Sequence, residues 1–152
     1  MAFPRVLLAD DLPEMLEEIK QLLQENVEIV GIARNGLEAL ELSTFTDVDI
    51  IILDISMPLL NGIQVASILR QRGHKAKIVF ATVHEDRDYI EAAWSVGALG
   101  YVLKSRLGTD LIPALQEVWA GRAFSSLMNS GTRHTEGPVD HRAFATLPRE
   151  AP

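Results

Sequence analysis

Five short apolar runs alternate with five amphipathic ones along the first 124 residues of this chain. The apolar runs are RVLLAD (5–10), VEIVGIA (27–33), DIIILD (49–54), AKIVFAT (76–82) and GYVLK (100–104). Ile50 to Leu53 are apolar at every position, so a strand made of them needs cover on both faces. Between the runs, apolar residues recur at helical spacing. Leu12, Met15, Leu16, Ile19, Leu22 and Leu23 follow this spacing around Pro13, which suits a first turn. Leu111, Ile112, Leu115, Val118 and Trp119 stripe the last helix. Asn35 with Glu38 three residues on predicts a helix cap. Asn61-Gly62 opens the third helix, the fourth spans about 86–97, and Gly97 and Gly121 suit helix ends. Such alternation predicts an α/β fold with right-handed crossovers and a doubly wound, five-stranded parallel sheet.

Bulk properties narrow the function. A chain of 152 residues is about one domain. The net charge of −7 argues against nucleic-acid binding by its own surface. The chain has no cysteine, which excludes disulfides, thiolate metal sites and cysteine nucleophiles. No apolar run approaches the ~18 residues of a membrane span, and MAFPRVLLADD reaches its acidic pair too early for a signal peptide. The expected location is cytoplasmic, without membrane association. Residues 123–152 read as a largely disordered tail or linker after a domain over 4–122. From residue 127 they are poor in periodic apolar positions, and their opposite charges cancel. No helix-turn-helix pattern follows residue 122.

In a doubly wound sheet, ligands sit at the carboxyl ends of the strands. Strand one ends at Asp10 and Asp11, strand three at Asp54, strand four at Thr82 and strand five at Lys104. Parallel strands collect these side chains at one edge. Three carboxylates so placed repel one another. Hard oxygen ligands without sulfur suit magnesium, with manganese as the alternative. Such a pocket is suited to bringing a phosphoryl group beside a carboxylate. Neither glycine-rich nucleotide motif is present.

The segments ADD (9–11), DISMPLLNG (54–62), FAT (80–82) and GYVLKS (100–105) together resemble the receiver domain of two-component response regulators, a CheY-like family. GALGYVLKS and LIPALQEVWAGR are most similar to the NarL/FixJ subfamily, whose receivers commonly precede a LuxR-type helix-turn-helix. The resemblance implies a flavodoxin-like (βα)5 fold with strand order 2-1-3-4-5. It implies that Asp54 accepts a phosphoryl group from a sensor histidine kinase or phosphotransfer protein. Asp11 would bind Mg2+ directly, Asp10 through water, and Ser56 by its backbone carbonyl. Thr82 and Lys104 would hold phosphoryl oxygens, and Tyr101 would turn inward as Thr82 moves. Pro58 and Gly62 would shape the loop. The helix 4–strand 5–helix 5 surface would then control partner binding, homodimerisation or transcriptional output.

Some positions depart from the family pattern. Ser105 replaces the proline that often follows the strand-five lysine, which removes the expectation of a cis peptide. Val83 is larger than the usual residue and stands where it can narrow access to Asp54. Ser56 and His84 occupy positions that tune phosphoryl lifetime in the family. Plainer readings also exist. Asp10-Asp11 can favour a helix dipole, Thr82 is a good strand former, and Tyr101 can be ordinary packing. Trp94 and Trp119 read as helix-face packing residues. His74, His84, His134 and His141 are not spaced as a metal set. Two other functions compete with the receiver reading. A magnesium phosphatase with an aspartate nucleophile wants a second acid at the position of Ser56. A phosphorylation-independent pseudo-receiver would not need all of Asp10, Asp11, Asp54, Thr82 and Lys104. No turnover of an external substrate is expected.

Overall fold

The computed structural model describes residues 3–127. Five βα units follow in order. They are β1 (Arg5–Ala9), α1 (Pro13–Leu23), β2 (Glu28–Ala33), α2 (Gly36–Phe45), β3 (Ile50–Leu53), α3 (Gly62–Gln71), β4 (Lys77–Thr82), α4 (Arg87–Ser95), β5 (Gly100–Leu103) and α5 (Leu107–Trp119). A 3-10 turn, Lys104–Arg106, joins β5 to α5. A sixth strand, β6 (Phe124–Ser125), closes the sheet in the order β2-β1-β3-β4-β5-β6, all parallel. The order of the first five strands is the expected one; the sixth strand is an addition.

Strand periodicity divides the core. Leu7, Ala9, Ile51, Leu53, Ile78, Phe80, Tyr101 and Leu103 face one cluster, shared with Val65 and Leu69 of α3 and Trp94 of α4. Val6, Leu8, Ile50, Ile52, Val79, Ala81 and Val102 face the other, shared with Ile19 of α1 and Leu111 of α5. Successive residues of β3 therefore alternate between two dry cores, which is why all four are apolar. No helix among the described residues is long and apolar enough to cross a membrane.

The local signals act where expected. Pro13 stands in the first turn of α1. Asn35 Oδ1 accepts from Glu38 N at 2.9 Å, and Glu38 reaches back to Arg34 N rather than to the cap itself. Asn61 and Gln64 form a reciprocal capping box on α3. Gly97 and Gly121 have φ of 91° and 87°, the left-handed conformation that ends helices cheaply. All peptide bonds of the described residues are trans, including the one before Ser105.

Two expectations need correction. Trp119 is 45% exposed, with Lys77 Nζ 5.9 Å above its ring, so it is a surface residue and not core packing. Residues 123–126, expected to open the tail, are buried instead, because β6 covers the otherwise open edge of β5. Residues from 128 onward, with His134 and His141, lie outside the described residues.

Gly62 fixes how closely α3 approaches β3. Its amide donates to Ile55 O at 2.7 Å, and a Cβ there would overlap the Asp54 carbonyl oxygen. Gly62→Ala is expected to lower stability by about 1–3 kcal/mol through overpacking, measured by urea denaturation.

Candidate functional site

Register brings the strand ends together. Ala9 pairs with Leu53, Leu53 with Phe80 and Thr82 with Leu103. The next residue on three of these strands is Asp10, Asp54 or Lys104. Asp54 N donates to Ala9 O at 2.9 Å, so the ladder continues one step beyond the strands and anchors Asp54 rigidly. Lys104 Nζ lies 2.8 Å from Asp10 Oδ2 and 3.0 Å from Asp54 Oδ2, and all three side chains are nearly excluded from solvent.

The charges do not balance. Asp11 joins Asp10 and Asp54, each with a carboxylate oxygen within 4.8 Å of the others. One ammonium therefore faces three carboxylates. Burial, and then the Asp10 charge, push the Asp54 carboxyl above its ordinary value; Lys104 and the Ile55 amide only partly offset this. Burial alone would lower the Lys104 ammonium, but Asp10 and Asp54 outweigh it and hold it up. Asp10 Oδ1 accepts from Leu12 N at 3.0 Å. Its buried Oδ2 faces the Lys104 ammonium at 2.8 Å. The surplus of negative charge on three clustered carboxylates fits a hard divalent cation.

A second group of residues gathers at His84. Thr82 is fully buried, and its Oγ1 accepts from His84 N at 3.2 Å. The Thr82 hydroxyl proton is therefore left to donate elsewhere. Tyr101 is also fully buried, its hydroxyl donating to His84 O at 2.8 Å, so the aromatic is already inward in this conformation. The His84 ring stacks on Tyr89 at 4.0 Å, and its Nε2 lies 2.7 Å from Ser56 Oγ. Ser56 and His84 thus bridge the loops after β3 and β4. Val83 is 65% exposed. His74 is occupied structurally, its Nε2 at 3.0 Å from Ser43 O and its Nδ1 accepting from Ala76 N.

Sequence reasoning brought Asp10, Asp11, Asp54 and Lys104 together correctly. It placed Thr82 and Tyr101 near one another but missed His84 as their common partner. No local pattern marks a residue that works through its backbone N–H and C=O. Leu59, with φ of 74°, was also missed. A leucine in the left-handed region gives no turn signal of the kind glycine or asparagine would. The loop holds it there, with Leu60 N donating to Pro58 O and Gly62 N to Ile55 O.

Comparison with known proteins points one way. The family model described as "Response regulator receiver domain" matches residues 6–116. The nitrate/nitrite response regulator protein NarL of Escherichia coli K12 is 31% identical over 152 residues, spanning 95% of this chain and 70% of that protein. The solved signal receiver domain of a NarL response regulator from Mycobacterium tuberculosis superposes with a TM-score of 0.77 at 30% identity, covering 80% of this chain and all of that one. A LuxR-family two-component response regulator from Aurantimonas superposes with a TM-score of 0.79 at 28% identity, covering 93% and 99%.

Asp54 sets a pH dependence. Its carboxyl is raised in the fold, so the fold favours its protonated form. Stability from this group is complete below the ordinary carboxylate value of 3.8 and is lost as pH rises through the raised value. Without divalent cation, Asp54→Asn is therefore expected to melt above the wild type at neutral pH. The difference should shrink as pH falls toward 4. Paired thermal melts across that range check it; a variant less stable at neutral pH contradicts it.

Proposed function

The chain belongs to the response regulator receiver domain family of two-component systems, and on that premise we propose that Asp54 is its phosphoacceptor. The observation that carries this reading is the Lys104 ammonium held between Asp10 and Asp54, with Asp11 beside them. Receiver domains take phosphoryl groups from histidine kinases or phosphotransfer proteins. Here an Asp54 carboxylate oxygen attacks the phosphorus of a phosphohistidine. The P–N bond breaks, its electron pair returns to the imidazole, and an aspartyl phosphate remains on this chain.

The other residues take roles that their surroundings support. Asp11 would hold Mg2+ directly, Asp10 through water and Ser56 by its backbone carbonyl; Mn2+ would suit the same oxygens. Such a cation would supply charge neutralisation for phosphoryl transfer. Lys104 exchanges Asp10 for a phosphoryl oxygen. Thr82 donates its unused hydroxyl proton to another, since its own oxygen is already occupied by His84 N. Tyr101 follows Thr82 through His84. A phosphoryl group adds nearly two negative charges and three acceptor oxygens, and those contacts exist only in the modified state, so they can shift an equilibrium. The α4–β5–α5 surface reports the shift to a partner or a second copy, from a cytoplasmic location. The receiver unit runs from about residue 4 and includes β6.

Incubation with Mg2+ and acetyl phosphate, followed by intact mass, is expected to show one added phosphoryl group that is absent in Asp54→Asn. Absence of the adduct in the wild type, where a known receiver is labelled, overturns the reading. Separately, Mg2+ at tenfold excess over its Kd should stabilise the wild type by about 1.4 kcal/mol. Asp11→Ala should lose that gain in a thermal-shift titration while remaining folded.

A further inference from the structure

The two ends of the sheet carry different exposed apolar residues. At the phosphoacceptor end stand the aliphatic Leu12, Leu37, Leu59 and Val83. At the other end the strands begin and the helices finish. There stand Phe3, Phe45 and Trp119, which are 57%, 80% and 45% exposed. No other Phe, Tyr or Trp of the described residues is as exposed. Phe3 precedes β1, Phe45 ends α2 and Trp119 ends α5.

Cations lie between these aromatics. The stretch from the end of α3 to the start of β4 reads RQRGHKAK (70–77). Arg70 and Arg72 stand at the C-terminal end of α3, where they favour its dipole. Lys75 and Lys77 lie beyond it, so the dipole does not account for them. The stretch is tied to both aromatic corners. His74 Nε2 lies 3.0 Å from Ser43 O, two residues before Phe45. Lys77 Nζ lies 5.9 Å over the Trp119 ring. Among the described residues, Arg72, Lys75 and Lys77 pair with no carboxylate. Several acids at this end are already engaged. Asp47 pairs with Arg5, Glu117 pairs with Arg122, and the Asp49 carboxylate accepts from Arg5 N. Glu25 and Glu28 stand at the α1–β2 corner.

Phe45 and Trp119 belong to helices on opposite faces of the sheet, α2 over the cluster of Leu7 and Phe80 and α5 over that of Val6 and Val79. A partner that meets both must lie flat across the end of the sheet. A lipid surface does so without a matching shape. Unpaired Lys and Arg meet anionic headgroups, and aromatic rings enter the boundary between headgroups and acyl chains. Beside Trp119, a cleft of about 160 Å³ lined by Pro4, Val27, Ile112 and Leu115 widens the apolar contact. We propose that this end of the sheet docks on an anionic membrane surface, with Phe45 and Trp119 at its two sides and Arg72, Lys75 and Lys77 between them. Such docking needs no spanning helix, and it departs from the expectation of no membrane association. The net charge of −7 opposes it only weakly. Five residue steps separate Asp49 from Asp54. At the strand rise they span ~17 Å, beyond the ~8 Å over which exposed charges act at physiological salt. The phosphoacceptor edge faces away from the lipid and stays open to a phosphodonor, so docking is independent of the receiver reading.

Co-sedimentation of the full chain with lipid vesicles tests the docking, read together with tryptophan emission. Trp94 is buried, so a change in emission on binding reports Trp119. Vesicles of equal parts phosphatidylglycerol and phosphatidylcholine are expected to bind the chain and shift its emission to the blue. Phosphatidylcholine alone should do neither. Arg72→Ala combined with Lys75→Ala should weaken binding about thirtyfold, at about fivefold for each cation near an anionic surface. Phe45→Ala should weaken it as well, whereas Arg87→Ala, at the phosphoacceptor end, should leave it unchanged. All four positions are exposed, so the variants keep the fold. No binding to the anionic vesicles, binding without a blue shift, or an equal loss in Arg87→Ala overturns the proposal. Binding to soluble polyglutamate but not to vesicles also overturns it and gives this surface to an acidic protein segment. Labelling of Asp54 by acetyl phosphate is read separately, so failure of the docking leaves the receiver reading standing.

Discussion

The geometry of the site depends on one buried ammonium. Lys104 keeps Asp10 and Asp54 in the same small volume while shielded from solvent. Without it, two carboxylates at that edge would repel each other across a medium of low dielectric. With it, the repulsion is reduced but not removed, since Asp11 adds a third negative charge. The Asp54 carboxyl remains raised. The pocket is thus still short of positive charge, which suits the cation and the phosphoryl group proposed for it.

The parallel sheet makes this arrangement cheap. Every strand delivers its last residue to the same edge, so charged side chains distant in sequence meet without any long loop. β3 contributes most. Its four apolar residues are sealed between two cores, and its ladder to β1 continues through Asp54 N. A residue held by two cores and a backbone hydrogen bond has little freedom. Its carboxylate is positioned by packing paid for elsewhere in the fold. The α3 helix adds to this from below, where only glycine at 62 allows its close approach.

Much of the arrangement was legible in the sequence because it is written in periodicity. Apolar runs, helical stripes, Asn35 and Asn61 as caps, and Gly97 and Gly121 as stops are local signals with local causes. So is the placement of Asp10, Asp11, Asp54 and Lys104, which follows once the strands are parallel. Three things were not legible, for different reasons. β6 is two residues long, too short for a period, and its strand character comes from the free edge of β5. Trp119 fits the apolar stripe of α5, yet it stands at the helix end and is 45% exposed. Ser126 and Asp110 are buried polar residues that hydrogen-bond each other, and neither carries a sign of the other in its neighbourhood. Arg106 and Asp110 at i,i+4 were the only available hint.

His84 shows why such sites resist reading by side chain alone. Its backbone N–H occupies Thr82 Oγ1, and its C=O receives the Tyr101 hydroxyl. Both bonds survive any substitution at 84 that preserves the backbone path. Its ring adds something separable: the stack on Tyr89 and the 2.7 Å contact with Ser56, tying α4 and the loop after β3 to that path. The backbone half of the residue therefore orients Thr82 and Tyr101. The side-chain half decides how firmly the two loops around Asp54 are held together. A motion of Thr82 toward Asp54 must carry the His84 amide with it or break that bond. The contacts that join Thr82, Tyr101 and Tyr89 of α4 through His84 are thus all present in this one conformation.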